Sequence, residues 1–294
     1  MIRILTPAKL NLGLEILSRR DDGYHEIRTI FCAVSLFDKV TVTTSSADQV
    51  ACLPAVDTPE NLVSVALRNA REVTPELPGI CVTVEKRIPA AAGLGGASSD
   101  AAATLLAISR LHPDQFRECS IAELAAQCGS DVPFFLHSGL ALGEGRGEQL
   151  RRLSFVPIHA VIITPLVDIP DKTRAMYARI RPTDWTDGGQ VASIAEQLGR
   201  GEVVGTGERL PNAFRQPLYD LFPDIRALAE EIESMLGRSV QVTGAGPSLF
   251  VLCSGSADAL SVRRELSARV DPDQAHLHTV RSVSRVLITG NPDV

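Results

Sequence analysis

From Pro89 to Thr104 the chain reads PAAAGLGGASSDAAAT, and only Leu94 in this run is bulkier than threonine. Few folds accommodate so bare a stretch. Gly93, Gly95 and Gly96 permit backbone turns that other residues resist, and the alanine-rich SSDAAATLLAISRL that follows predicts a helix. Two arrangements suit the pattern. In one, an anion lies against the bare loop and the unpaired N–H groups of the helix start. In the other, a glycine-rich turn lets the helix pack tightly on a sheet. The glycines alone do not separate them. If an anion binds, phosphate is the favoured one, and Ser98 and Ser99 add donors near the helix start. No lysine follows the glycines, so this is not a Walker A loop. Gly93, Gly95 and Ser98 also match the spacing of a dinucleotide fingerprint. That fingerprint normally runs straight from the first strand, whereas Lys86, Arg87 and Pro89 intervene here.

Around this stretch the patterning is mixed. KLNLGLEI alternates, with Leu10, Leu12, Leu14 and Ile16 on one face and Lys9, Asn11, Gly13 and Glu15 on the other, which predicts a half-buried strand. The turn signal Asp22-Gly23 follows it, and KVTVTTS and ICVTVEKRI read as further strands. NLVSVALRNAREV reads as a helix. SIAELAAQC reads as another, with Ser120 as N-cap and Glu123 at the capping-box position. GLALGEGRGEQLRRL looks like a strand interrupted by glycines, and HAVIITP begins a new strand. Helices are expected at DKTRAMYARI, VASIAEQLGR, DIRALAEEIESMLG and ADALSVRRELSARV, and a hairpin at VQVTGAGPSLFVLCS. Early adjacent strands followed by clustered helices argue for an α+β fold rather than a doubly wound parallel sheet. The weakest seam lies near Leu153 to Pro157, which predicts one domain over 1–153 and another over 154–294.

Charge and cysteine content narrow the function classes. A net charge of -6 lacks the basic footprint of a nucleic-acid binder, although it leaves an anionic small molecule open. Six cysteines form no CxxC pair and no zinc-like cluster, and so read as reduced thiols. The opening MIRILTPAKLNLGLEIL has Pro7 and Lys9 inside its apolar run and no cleavage-site pattern. No apolar run is long enough to cross a bilayer. The expectation is a cytoplasmic protein without membrane or nucleic-acid partners. Oligomeric state is left open.

Three well-separated segments carry a resemblance: PAKLNL at Pro7 to Leu12, GLGGASSD at Gly93 to Asp100, and TGAGPS at Thr243 to Ser248. Together they resemble the three motifs of the GHMP kinases, over nearly the whole chain. The resemblance implies a two-domain GHMP kinase fold with an active-site cleft between the domains, ATP as co-substrate and Mg2+ with it. DGYHE at Asp22 to Glu26 and GSDVPFFL at Gly129 to Leu136 resemble the branch of that family that phosphorylates a cytidine diphosphate-linked alcohol.

Site residues follow from the same resemblance. Lys9 and Asp131 are implied as the catalytic pair, with Asp131 accepting the hydroxyl proton and Lys9 keeping it ionised. ATP is implied to lie against Pro89, Ala90, Ala91, Ala92, Gly93 and Leu94, then Gly95, Gly96, Ala97, Ser98 and Ser99, with Asn61 near the adenine. Read alone, Asn61 is equally a helix cap. Asn11, Tyr24, His25, Thr173, Tyr177, Gly244 and Gly246 are implied to meet the alcohol substrate. Tyr24 and His25 would recognise its cytosine end, by stacking and by their polar tips. The resemblance assigns no metal ligand, and Ser98 and Ser99 are the candidates. The pattern slips at Ala91 and Ala92, where relatives often carry glycine, and at Asp100, which replaces a common asparagine and is expected to point away from phosphate. Only Asn212 survives in LPNAFRQPL. Three rivals remain: a GHMP enzyme for another alcohol, a sensing protein on a degenerate kinase fold, and a dinucleotide-dependent oxidoreductase.

Overall fold

The computed structural model describes residues 1–55, 61–116, 120–167 and 172–289. The chain runs β1 (Ile2–Arg19), β2 (His25–Ser45), β3 (Gln49–Leu53), α1 (Leu62–Val73), β4 (Gly79–Glu85) and α2 (Gly96–Leu111). Then come α3 (Ile121–Cys128), α4 (Val132–Phe135), β5 (Leu140–Glu144), β6 (Gln149–Arg152), β7 (His159–Pro165), α5 (Lys172–Tyr177) and α6 (Gly189–Gly199). Last are α7 (Arg215–Leu221), α8 (Pro223–Leu236), β8 (Val240–Val242), β9 (Leu249–Cys253), α9 (Ser256–Ser267), β10 (Ala275–Arg281) and β11 (Leu287–Thr289).

Two sheets organise these elements. The seven-stranded sheet carries the path β11-β1-β2-β4-β3, and β5 joins it through β2 and pairs with β6. The four-stranded sheet has the order β10-β7-β9-β8. This is the α+β architecture expected. The glycine-interrupted segment 139–153 is not one strand but the antiparallel pair β5 and β6, because its glycines make the turn. Of the helix expected over 171–180, the described part is α5, and residues 168–171 lie outside the described residues.

β1 is the spine of the molecule. It pairs with β2 over most of its length, with register shifts at Pro7/Ala8 and Asn11/Leu14. Each shift changes which face the same parity of residue takes. Ile2 and Ile4 enter the core under α1 and α2, Ala8, Leu10 and Leu12 enter the core between the sheets, and Leu14 and Ile16 enter the core of the second sheet and its helices. One strand thus contributes to all three apolar cores.

The sequence pattern predicted β1 as half-buried, but both its faces are covered. Lys9, Asn11 and Glu15 are each only 3% exposed. Glu15 explains part of this: its Oε2 accepts the N–H of Val191 at 2.7 Å, so a strand carboxylate caps the start of α6 from a distance. The local caps follow the sequence. Asn61 accepts the Val63 N–H at 2.9 Å, and Ser120 accepts that of Glu123 at 3.2 Å.

Five cysteines among the described residues are free, and Cys119 lies outside them. No helix among the described residues is long and apolar enough to cross a membrane.

Phe250 on β9 is fully buried in the core between the sheets, against residues such as Leu10, Leu12 and Ile162. Phe250→Ala is expected to cost about 3–5 kcal/mol. Urea unfolding should show one transition at a lower midpoint; two separated transitions would mean that this core does not couple the sheets.

Candidate active site

β1 brings its polar side chains to the floor of a cleft of about 820 Å³. Lys9 Nζ donates to Asn11 Oδ1 at 2.5 Å and lies 3.6 Å from Asp131 Oδ2. Asn11 is held in turn, its Nδ2 donating to Thr29 Oγ1 at 2.8 Å and its backbone N–H to Thr243 Oγ1 at 3.1 Å. Burial pushes the Lys9 ammonium below its ordinary pKa, and the charge and hydrogen bonding of Asp131 work against that.

Asp131 sits at the N-cap position of α4, with Pro133 in the first turn. Its side chain makes no capping hydrogen bond and stays one-third exposed. A carboxylate in this position is free to take a proton from a group in the cleft.

The glycine loop forms the adjoining wall. Leu94 C=O accepts the Lys9 backbone N–H at 2.9 Å, and Ala92 C=O accepts that of Ser248 at 3.3 Å. The loop is therefore stitched to β1 on one side and to the β8–β9 turn on the other. Gly93, Gly95 and Ser98 line the cleft. Gly95 is the N-cap of α2, with φ 72° and no side-chain cap, so the N-terminal amides of α2 are left for another partner. Gly96 and Ser99 are buried beneath this surface. Ala91 adopts a positive φ of 51°, a conformation glycine takes more easily. Gly244 joins the cleft with its absent Cβ only 3.1 Å from Lys9 Nζ. Gly246 lies behind the lining, against the side chain of Leu218.

The opposite end is aromatic. The His25 ring stacks on Tyr177 at 4.9 Å and 21°, and Tyr177 meets Phe214 edge-on at 4.8 Å. Tyr24 is 54% exposed, with the Arg146 guanidinium 4.7 Å from its ring. Burial, with the nearby charge of Arg19, lowers the His25 pKa, and burial raises that of Tyr177. Thr173 lines the cleft one helical turn before Tyr177 on the same face of α5.

Of the residues expected at the site, Lys9, Asn11, Tyr24, His25, Gly93, Gly95, Ser98, Asp131, Thr173, Tyr177 and Gly244 line this one cleft. Asn61 does not; it caps α1, and its Nδ2 donates to Cys52 Sγ at 3.3 Å. Sequence reasoning missed Arg19, Arg146, Arg174, Trp185 and Phe214, which also line it. Only Arg146 carried a local signal, a lone cation between Gly145 and Gly147 at a hairpin tip.

Asp100 faces away from the loop surface, as expected. Its Oδ1 accepts from Thr6 Oγ1 at 2.8 Å and its Oδ2 from Lys86 Nζ at 2.7 Å. Burial raises its pKa to about 7, with Lys86 opposing and the charge of Asp38 adding to the rise.

This geometry has relatives. Residues 61–139 match the GHMP kinases N terminal domain, and residues 193–271 match the GHMP kinases C terminal family. The chain is 34% identical over 276 residues to a 4-diphosphocytidyl-2-C-methyl-D-erythritol kinase of Dehalococcoides mccartyi, covering 90% of this chain and 94% of the relative. It is 37% identical over 264 residues to the enzyme of that name from Thermus thermophilus, covering 90% and 92%. A crystal structure of 4-(cytidine 5'-diphospho)-2C-methyl-D-erythritol kinase superposes with a TM-score of 0.77 at 35% identity, covering 95% of this chain and 98% of that one. A homoserine kinase from Cytophaga hutchinsonii superposes with a TM-score of 0.66 at 17% identity, covering 98% and 97%, and shares the fold.

Gly93 offers a direct test of the junction. At φ 79° its Cβ would stand 2.6 Å from the backbone oxygens of both Thr243 and Gly246. Gly23, at φ 86° with nothing within 4 Å, isolates the conformational strain alone. Gly23→Ala is expected to cost about 1–2 kcal/mol. Gly93→Ala should lower Tm clearly further, and equal shifts would mean that the junction is loosely packed.

Proposed function

The chain belongs to the GHMP kinases, and we propose that it transfers the γ-phosphoryl group of ATP to the 2-hydroxyl of 4-diphosphocytidyl-2-C-methyl-D-erythritol, in the non-mevalonate route to isoprenoid precursors. The observation that carries this reading is the Lys9–Asp131 pair, 3.6 Å apart, between a bare loop at one end of the cleft and an aromatic pocket at the other.

In the proposed reaction Asp131 takes the hydroxyl proton as the oxygen attacks the γ-phosphorus and the bond to ADP breaks. Lys9 orients the carboxylate and presents its cation to charge developing on the phosphoryl oxygens. Asn11 fixes the ammonium of Lys9. The segment 89–99 and the start of α2 hold the phosphates through backbone amides. Asn61 lies outside the cleft lining; in this reading its Nδ2, which donates to Cys52 Sγ at 3.3 Å, faces the adenine where the nucleotide extends beyond the cleft. Tyr24 and Tyr177 offer stacking faces to the cytosine, His25 its polar tip, and Thr173 and Gly244 shape the walls around the substrate, with Gly246 backing them.

Magnesium enters this reading with ATP. Among the described residues no group of three or more His, Cys, Asp or Glu could hold a metal on its own. Ser98 lines the cleft, and the buried Ser99 hydroxyl has no hydrogen-bond partner. Such a donor set fits a cation held chiefly by phosphate and water, with Ser98 or Ser99 adding an oxygen. When bound, it neutralises phosphate charge.

The same reading divides the chain at 153/154. β1 to β6 precede that point and the four-stranded sheet follows it, while β11 returns to pair with β1. A charged, diffusible substrate suits a cytoplasmic enzyme.

Purified protein with Mg-ATP and the diphosphocytidyl alcohol should yield ADP and phosphorylated product in equal amounts. Asp131→Asn should lower kcat by about 10²-fold or more while ATP still binds. No product from a folded, ATP-binding protein would move the substrate to another alcohol. Tyr177→Ala should raise KM for the cytidine substrate by the equivalent of about 1–3 kcal/mol, with KM for ATP unchanged. An unchanged KM for the cytidine substrate would remove Tyr177 from the pocket.

A further inference from the structure

Beneath the glycine loop lies a charge cluster that is absent from the cleft lining and largely buried, with the Lys86 side chain 11% exposed. Lys86 leads into the loop and Asp100 follows it in the first turns of α2. Lys86 Nζ donates to Asp100 Oδ2 at 2.7 Å and also to Asp38 Oδ2. Asp38 Oδ1 accepts the backbone N–H of Arg87, and that of Ile88 at 2.7 Å. Asp100 Oδ1 accepts from Thr6 Oγ1 at 2.8 Å, and Thr6 is the cross-strand partner of Asp38. Asp38, Asp100 and Thr6 are 0%, 2% and 1% exposed.

The placement is specific to the loop. The ion pair between Lys86 and Asp100 joins the two ends of the segment that contains every bare residue of the phosphate wall. Asp38 holds the entering backbone, and Thr6 ties the exit to β1, the strand that carries Lys9. The Lys86 ammonium also leaves little room for a side chain at the first residue of α2: a Cβ on Gly96 would stand 3.3 Å from Nζ and 3.2 Å from Ile88 Cβ. A loop stripped of side chains has little packing of its own to hold its shape, and its glycines leave it many conformations to lose.

We propose that Asp100 and Lys86 are positioning residues for ATP: their ion pair, locked by Asp38 and Thr6, closes the base of the glycine loop and fixes its amides for the phosphates before the nucleotide arrives. This rests on the reading that segment 89–99 binds the phosphates. Neither residue touches ATP; both act through the backbone they pin. Lowering the fraction of loops in the competent shape weakens apparent affinity by that same fraction.

The test compares ADP with adenosine, and ATP with the alcohol. Wild-type protein should bind ADP far more tightly than adenosine; equal affinities would overturn the phosphate-loop reading itself. Given that preference, Asp100→Ala should raise KM for ATP and Kd for ADP about tenfold, corresponding to a loop competent one time in ten. Adenosine affinity and the KM of the alcohol should not move. Amide exchange should quicken in segment 90–95 and not across the sheet. Asp100→Asn keeps an acceptor for Thr6 and loses the charge for Lys86, so it should fall between wild type and alanine. If Asp100→Ala does not fold, Asp100→Asn carries the test with the same selective pattern at smaller size. A folded variant whose two KM values rise together, or whose KM for ATP and loop exchange stay at wild-type values, overturns the inference.

Discussion

At Gly93 three stretches of backbone meet with no side chain between them. β1 reaches the loop through Lys9 and Leu94, and the β8–β9 turn reaches it through Ser248 and Ala92. Backbone hydrogen bonds impose near-fixed distances, so the three segments can register only if nothing intrudes. The cleft inherits this precision. Lys9 stands on the strand at the junction, Gly95 opens the helix start beside it, and a Cβ on Gly244 would stand 3.1 Å from the lysine ammonium. The sparse composition of segment 89–104 thus answers both demands that the sequence left unresolved. It packs tightly, and it leaves amides bare.

A lysine at 3% exposure is costly unless its charge is met. Here the partners arrive from distant parts of the chain: Asn11 from the same strand, Asp131 from the start of α4, and Thr29 and Thr243 behind Asn11. Burial still depresses the ammonium. The second buried lysine, Lys86, is met by two carboxylates, which raise its pKa against the effect of its own burial. The two lysines lie on opposite sides of the same loop in electrostatic contrast. Lys9 has one long carboxylate contact and faces the cleft; Lys86 has two close carboxylates and faces the base of the loop.

Local signals in the sequence were read correctly where the physics is local. Alternation marked β1, serine marked the cap of α3, and the bare run marked the loop and α2. What could not be read was which face of β1 would be covered, because the register shifts at Pro7/Ala8 and Asn11/Leu14 depend on pairing with β2. The alternating polar residues do not stay on one face: Lys9 and Asn11 floor the cleft, and Glu15 caps α6. Asn61 fits both a cap and a ligand, because its Oδ1 caps α1 while its Nδ2 is a separate donor. Arg19 enters the cleft from the end of β1 and Arg174 from α5, while Trp185 and Phe214 come from connecting segments; their convergence depends on tertiary packing that no local pattern records. The Lys86–Asp100 pair was equally hidden. Nothing in either residue's neighbourhood announces that Asp38, on another strand, will lie between them.

The depressed Lys9 has a consequence in the proposed reaction. While Asp131 is ionised, its charge counters the burial that depresses Lys9 and favours the ammonium. When Asp131 takes the hydroxyl proton, that support disappears at the moment negative charge grows on the transferring group and on ADP. The ammonium then has a stronger reason to turn its field toward the phosphoryl oxygens, since they are the nearest anions left to balance it. The salt bridge is therefore more useful for being long. At 3.6 Å it stabilises the ground state only modestly, and little has to be given up when the partner changes. A tight, doubly bonded pair of the kind that surrounds Lys86 would hold its cation in place throughout, which suits a base beneath the loop and would hinder a group facing the reaction.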